Sequence, residues 1–138
     1  MRRSMQIGKA RWRTVSTTLN SRPIVARGDV WLVALDPVVG SEQAKTRPCI
    51  IVQREVANAG RTTIVVPVTN AAKQSAGIVR PLLHKGDGGL TKDSVALCRQ
   101  VRVVDRLRMT KKLGTLSPEA LRSVSTGLAE ILDLSASG

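Results

Sequence analysis

Hydrophobic positions fall along the chain in short runs separated by turn residues. Val30 to Leu35 is a run of strand length, opened by the Gly28-Asp29 turn signal and broken by Asp36-Pro37. Residues 38–46 read as a loop, and Pro48 to Gln53 as a second strand carrying Cys49, Ile50, Ile51 and Val52. After the Asn58-Ala59-Gly60 turn, Thr62 to Thr69 is rich in β-branched residues. Pro67 lies inside it, which predicts an edge strand or a bulge. Ile78 to Leu83 is a further strand candidate and Lys85 to Gly89 a Gly-rich turn. Ser94 to Asp105 predicts one long strand or two consecutive ones, and Met109 to Leu116 a last short strand.

The period then changes. Ser117-Pro118-Glu119 is a helix start, with Ser to cap, Pro at the first position and Glu toward the dipole. A full capping box is missing because Ala120 takes its acidic position. Leu121, Val124, Leu128, Ile131 and Leu132 fall on one helical face, which Gly127 weakens. Short strands followed by one amphipathic helix predict an α+β, mainly β fold: a small barrel or curled sheet with a C-terminal helix against it. Residues 135–138 are expected to fray. No internal repeat is visible.

Composition locates the charge. The chain has 138 residues and a net charge of +12. Residues 1–27 hold seven Lys or Arg and no acid, whereas residues 28–138 hold fifteen basic and ten acidic residues. More than half of the excess therefore sits in an N-terminal arm. The expected division is a basic, disordered extension over residues 1–26 and one domain over 27–134. Such charge favours a polyanionic partner without naming it. No apolar run approaches the ~20 residues that span a bilayer. Cys49 and Cys98, each in an apolar segment, are expected as buried free thiols, which fits a cytoplasmic protein.

Several chemistries are absent from the sequence. His84 is the single histidine, so a two-histidine ribonuclease within one chain is excluded. His84 is read as an exposed loop residue. There is no G-x-S-x-G elbow, no H-E-x-x-H and no paired C-x-x-C, and no metal or cofactor is expected. Gly86-Asp87-Gly88-Gly89 lacks the Lys-Ser/Thr of a phosphate loop and reads as a turn.

One stretch offers chemistry. Asp36 to Arg47 carries Ser41, Glu42, Gln43, Lys45 and Arg47 between two apolar strands. Glu accepts protons, and Arg grips phosphate with a planar fork. RNA brings its own nucleophile, the 2′-hydroxyl, so a base, an acid and positive charge on the phosphate would suffice without a metal.

Arg27-Gly28-Asp29-Val30-Trp31, then Asp36-Pro37-Val38-Val39-Gly40-Ser41-Glu42-Gln43 and Arg47-Pro48, resemble the opening of the MazF/PemK (Kid-like) toxin family. The likeness continues at Val66-Pro67-Val68-Thr69, at Gly89 to Val95 and at Gln100 to Asp105, and covers about residues 27–133. It implies an SH3-like β-barrel, a homodimer, and the toxin of a type II toxin–antitoxin system. Such a toxin is a sequence-specific, metal-independent endoribonuclease. It cleaves single-stranded mRNA to 2′,3′-cyclic phosphate and 5′-hydroxyl ends and is inhibited by an acidic, MazE-like antitoxin. Carried over by position, the essential Arg is Arg47 and the essential Thr is Thr69. Glu42 is the general-base candidate, with Arg47 the alternative. Ser41, Gln43, Lys45 and Asn70 are the substrate-binding expectation. Two other readings stand beside this one: a gyrase-inhibiting toxin on the same fold, and a non-catalytic nucleic-acid-binding module. Base stacking has little to use, because there is no Phe or Tyr. Trp12 lies in the arm, and Trp31 is expected in the core. Lys73, Arg80, Lys85, Lys92, Arg102, Arg106 and Arg108 are available to follow phosphates.

Overall fold

A computed structural model of the chain describes residues 22–35 and 46–134. Its elements are strands β1 (Asp29–Ala34), β2 (Thr46–Ile51), β3 (Thr62–Asn70), β4 (Leu82–Leu83), β5 (Ser94–Ala96), β6 (Arg102–Asp105) and β7 (Met109–Thr115), followed by helix α1 (Pro118–Leu132). The strands form one antiparallel sheet in the order β4-β5-β3-β2-β1-β7, with β6 beside the first half of β3. The sheet curls into the mainly β half-barrel with a C-terminal helix that the sequence predicts. Among the described residues, no helix is long and apolar enough to cross a membrane.

The Arg27-Gly28-Asp29-Val30-Trp31 segment ties this sheet together. Gly28 sits at φ +95°, and a Cβ there would stand 3.2 Å from Leu121 of the helix. Its N–H donates to the Ile51 carbonyl at 2.8 Å, and its own carbonyl accepts from Leu116 at 2.9 Å. The buried Asp29 carboxylate accepts from the Ala26 N–H at 3.0 Å, the Trp31 indole at 3.3 Å and the Thr115 hydroxyl at 3.3 Å. Lys112 supplies the opposite charge at 3.4 Å. Arg27 reaches from the barrel to the helix, donating to the Val52 carbonyl and, at 2.6 Å, to the Ser125 hydroxyl. These bonds satisfy a buried carboxylate and three chain ends at one point, which is why these residue types stand together.

Alternation along the strands builds two cores. Val30, Ile50, Val66 and Val68 face α1, where Val124 is fully buried and Leu128 and Ile131 pack at the margin. Burying one such Val contributes about 1.5 kcal/mol or more. Val33, Cys49, Ile51 and Val65 face the other way, with Val25, Val104 and Met109. Residues 22–26, assigned from charge to the extension, run along this second core. Val25 is buried, and Arg22 pairs with Asp105 at 2.9 Å. Trp31, expected in the core, packs half-buried against the margin of this second core with its indole N–H on the buried Asp29 carboxylate.

Other expectations are corrected or sharpened. Ile78–Leu83 is not one strand. Ile78 and Val79 form a turn closed by Gly77 and Arg80, only Leu82–Leu83 forms a strand with β5, and Ile78 is exposed. Ser94–Asp105 is two strands separated by a 3-10 turn at Cys98–Gln100. Leu132 ends 52% exposed, off the buried helix face. The helix start is as expected: Ser117 Oγ accepts from the Ala120 N–H at 3.2 Å. Asp87 supports the cap from outside, accepting from the Ser117 N–H and hydroxyl, each at 2.8 Å. Cys49 and Cys98 are buried free thiols.

Pro67 is not on an edge strand. It lies inside β3 with β2 on one side, opposite Cys49. On its other side β3 changes partner, pairing with β6 up to Val65 and with β5 from Val68. The Pro67 carbonyl accepts from Leu97 at 2.8 Å on that second side, so its missing N–H falls where no strand needs it.

Candidate active site

The β2–β3 ladder ends at Cys49–Pro67, yet both strands continue. β2 stays with β1 back to the Ala34–Thr46 pair, while β3 goes on with β5 to the Asn70–Ser94 pair. The sheet divides there, and a cleft of about 570 Å³ opens at the division. Arg47 and Pro48 line it from β2, Val68, Thr69 and Asn70 from β3, and Ser94 from β5. Leu32, Leu90 and Leu113 give it an apolar wall, and Lys73, Thr91 and Lys92 stand around it.

Glycine makes the apolar wall possible. A Cβ on Gly89 would lie 2.1 Å from the Leu113 carbonyl, and Gly89 has φ +79°. The turn thus rests directly on β7, and only glycine allows it. The sequence identified this turn but not its place beside the site.

Arg47, Thr69 and Asn70 line the cleft, as do Lys73 and Lys92 of the cations expected to follow phosphates, whereas Arg80, Lys85, Arg102, Arg106 and Arg108 do not. Arg47 is half-buried, and its guanidinium has no hydrogen-bond or ion-pair partner among the described residues. It is therefore available for an anion. Thr69, also half-buried, presents its hydroxyl from the neighbouring strand. Asn70 uses its side-chain carbonyl to accept from the Ala72 N–H at 2.9 Å, and its main-chain carbonyl accepts from Lys73 at 3.0 Å. Asn70 therefore shapes the turn that carries Lys73 and keeps its amide NH₂ for a ligand. Ser41, Glu42, Gln43 and Lys45 lie outside the described residues. They belong to the connection whose two stems are joined by the Ala34–Thr46 pair, one residue before Arg47.

Ser94 and Thr91 are cleft residues that the sequence reading missed. Ser94 is buried, and its hydroxyl donates to the Lys92 carbonyl at 2.8 Å, fixing the turn that holds Lys92. The neighbouring Asp93 carboxylate does not face the cleft. It accepts from the Lys85 N–H at 2.8 Å. Nothing in the local spelling separates the inward hydroxyl from the outward carboxylate. Only the pairing of β5 with β3 does so.

The electrostatic character is plain. The described lining holds three cations, Arg47, Lys73 and Lys92, and no acid. Below it, Cys49 has its thiol pushed up to about 12 by burial, against the opposing pull of the Arg102 and Arg47 charges. It is a packing group, not a nucleophile. His84 is exposed in its loop, away from the cleft, as expected. Among the described residues no three His, Cys, Asp or Glu side chains converge. Paired cations with neighbouring hydroxyl and amide groups can hold a phosphodiester and stabilise added negative charge on it.

Residues 26–132 match the profile of a protein family described as PemK-like, MazF-like toxin of type II toxin–antitoxin system. Among solved structures, MazF from Deinococcus radiodurans superimposes with a TM-score of 0.67 at 21% identity, covering 81% of this chain and 99% of that one. Mycobacterium tuberculosis toxin MazF-mt6 gives 0.65 at 19% identity, covering 78% and 98%. An endoribonuclease in complex with its cognate antitoxin, from a mycobacterial species, gives 0.64 at 18% identity, covering 80% and 97%. At these identities the structural likeness establishes the fold.

Proposed function

Because the chain belongs to the family of PemK-like, MazF-like toxins of type II toxin–antitoxin systems, we propose that its cleft is the active site of a metal-independent endoribonuclease acting on single-stranded mRNA. One observation carries the reading: Arg47 and Thr69, from two diverging strands, line the same cleft with Lys73 and Lys92, and no acid stands among its described lining residues.

The reaction follows from what these groups can do. The 2′-oxygen of the substrate attacks the adjacent phosphorus, and the bond from phosphorus to the 5′-oxygen breaks. The products are a 2′,3′-cyclic phosphate and a 5′-hydroxyl. Arg47 neutralises the charge that builds on the phosphorane oxygens and donates a proton to the leaving oxygen. Thr69 donates its hydroxyl to a phosphate oxygen. The 2′-proton goes to Glu42; in the alternative in which Arg47 is the base, Arg47 starts neutral, takes the 2′-proton and then passes it to the leaving oxygen. Lys73, Lys92 and Asn70 hold the flanking strand, together with Ser41, Gln43 and Lys45. Removing one preorganised donor from such a site costs about 100- to 1,000-fold in rate.

Two partners accompany this reading. An acidic antitoxin segment complements the three cations of the cleft and would block it. A second copy of the chain would form a homodimer, supported by Ile64 and Val103, cross-strand partners exposed beside the open edge of β6. The setting is the cytoplasm, where mRNA is found.

The test is cleavage of a long RNA in EDTA, with both new ends mapped. Discrete cuts bearing cyclic-phosphate and 5′-hydroxyl ends are expected, abolished by Arg47→Ala. Protein that leaves RNA intact but blocks gyrase supercoiling would replace the reading with that of a gyrase poison. RNA binding without cut ends would leave only a binding module.

A further inference from the structure

Beyond the cleft, along the same β3–β5 ribbon, lies a smaller notch of about 180 Å³. It is lined by Gln74, Arg80, Leu97, Arg99 and Gln100. Gln74 directly follows Lys73 of the cleft, and Leu97 lies three residues after Ser94 of the cleft. The two hollows are therefore neighbours through the Lys73–Gln74 step, close enough for one strand of RNA to touch both.

The lining has the chemistry of a base reader. Leu97, 4% exposed, gives an apolar floor. Gln74 and Gln100 each carry a donor and an acceptor, the pair that matches an adenine edge. Arg80 and Arg99 offer planar forks that pair with guanine or lie flat on any base. Arg80 is already oriented: its Nε donates to the Ser75 carbonyl at 2.7 Å, which leaves the terminal nitrogens available. Gln74, Arg99 and Gln100 are exposed, and no side-chain partner engages them among the described residues. No acid lines the notch.

A second observation narrows the occupant. The chain has no Phe or Tyr, and its two Trp are Trp12 and Trp31. Trp31 is half-buried with its N–H committed to Asp29 at 3.3 Å. The usual aromatic platform for single-stranded RNA is therefore missing from the described surface, and guanidinium planes with carboxamides are what remains to read a base.

We propose that the notch between Gln74, Arg80, Arg99 and Gln100 is a base-recognition subsite, receiving a nucleotide that flanks the cleaved phosphate of single-stranded RNA. This rests on the endoribonuclease reading above. The notch takes the base, and the cleft takes the reacting phosphate. Sequence selectivity at that flanking position is set by residues that never touch the reacting atoms.

The experiment compares wild type with Arg99→Ala and Gln100→Ala, both exposed positions whose truncation leaves the fold intact. Each protein is given a long RNA of mixed sequence and a minimal substrate containing only the cleaved dinucleotide. Loss of a good bidentate base contact lowers discrimination about 10- to 100-fold. The expected result is therefore a fall of that order in preference at one flanking position of the long RNA. KM rises, and turnover of the minimal substrate is unchanged. Gln74→Ala should shift the same position and no other. Unchanged cut sites and KM on the long RNA overturn the subsite while leaving the nuclease reading intact. A uniform weakening over all sequences also overturns it, since it reveals a phosphate contact. Wild type that cuts neither substrate removes the nuclease reading and this inference together, whereas Arg47→Ala abolishes cutting of both substrates without reference to flanking sequence.

Discussion

Arg47 and Thr69 each stand two residues beyond Cys49 and Pro67, the last facing pair of β2 and β3. Their approach is thus fixed by the backbone of two strands that are just parting. Arg47→Ala should lower kcat about 100- to 1,000-fold. It should change unfolding free energy by less than about 1 kcal/mol, because a half-buried guanidinium without a partner is being removed. Arg47→Lys should not restore the rate, since an ammonium cannot offer the planar fork. RNA cleavage by either variant at the wild-type rate would remove Arg47 from the mechanism.

Asp29 gives the opposite pattern. Its carboxylate is 4% exposed and joins Ala26, Trp31, Thr115 and Lys112. Asp29→Ala leaves several of these without a partner and should destabilise the fold by about 2–4 kcal/mol. Urea denaturation reads this directly. A loss below about 0.5 kcal/mol would mean that water replaces the carboxylate at little cost.

Gly127→Ala sets two effects against each other. Alanine is the better helix former by about 1 kcal/mol. Its Cβ, however, would lie 2.7 Å from both Cys98 Sγ and the Ile78 carbonyl oxygen. Overpacking of this kind costs about 1–3 kcal/mol, so net destabilisation is expected in thermal melts. A raised Tm would show that the helix can shift away from Cys98 and the Ile78-Val79 turn.

Asp105 predicts a pH dependence. The Arg22 side chain, then the Leu107 N–H, hold its carboxyl down at about 2. A depressed carboxyl stabilises the fold fully above its unfolded pKa, near 4, and loses that contribution as pH falls toward about 2. Asp105→Asn should therefore be less stable than wild type at neutral pH, with the gap narrowing from about pH 4 down to about pH 2. Denaturation midpoints across that range provide the measurement, and a gap independent of pH would contradict the pairing with Arg22.

The two thiols should be silent in the native protein. Burial pushes Cys49 up to about 12 and Cys98 up to about 11. A disulfide reagent at mildly alkaline pH should label neither until denaturant is added. Rapid labelling of Cys49 in native protein would mean that the second core opens below the cleft.

Much of this was readable in the residues, for reasons that differ by element. The strands at Val30, Ile50 and Val66 announce themselves because one side of each must be apolar, and α1 because its period changes at Ser117. Arg47 was legible as the phosphate-gripping end of a polar loop, Thr69 and Asn70 came from family likeness, and the meeting of the three in one cleft depends on where two strands separate. The Ile78–Leu83 reading failed because apolar composition does not reveal a tight turn: Gly77 and Arg80 bond to each other across Ile78-Val79. Pro67 was misplaced for a related reason. A missing N–H marks an edge only if the strand keeps one partner throughout, and β3 does not. Trp31 was expected inside, and it packs half-buried against the margin of the second core with its N–H on the buried Asp29 carboxylate.

The exchange of partners at Pro67 also bears on how the protein can vary. A gap maintained by diverging main chain has a width that side-chain replacement at its mouth does not set. The turn after Asn70 can lengthen, shorten or change charge while the strand positions that carry Arg47 and Thr69 stay put. Pro67, where β3 trades one neighbour for another, thus acts as a fixed spacer, and the rim of the cleft can change without moving its two walls.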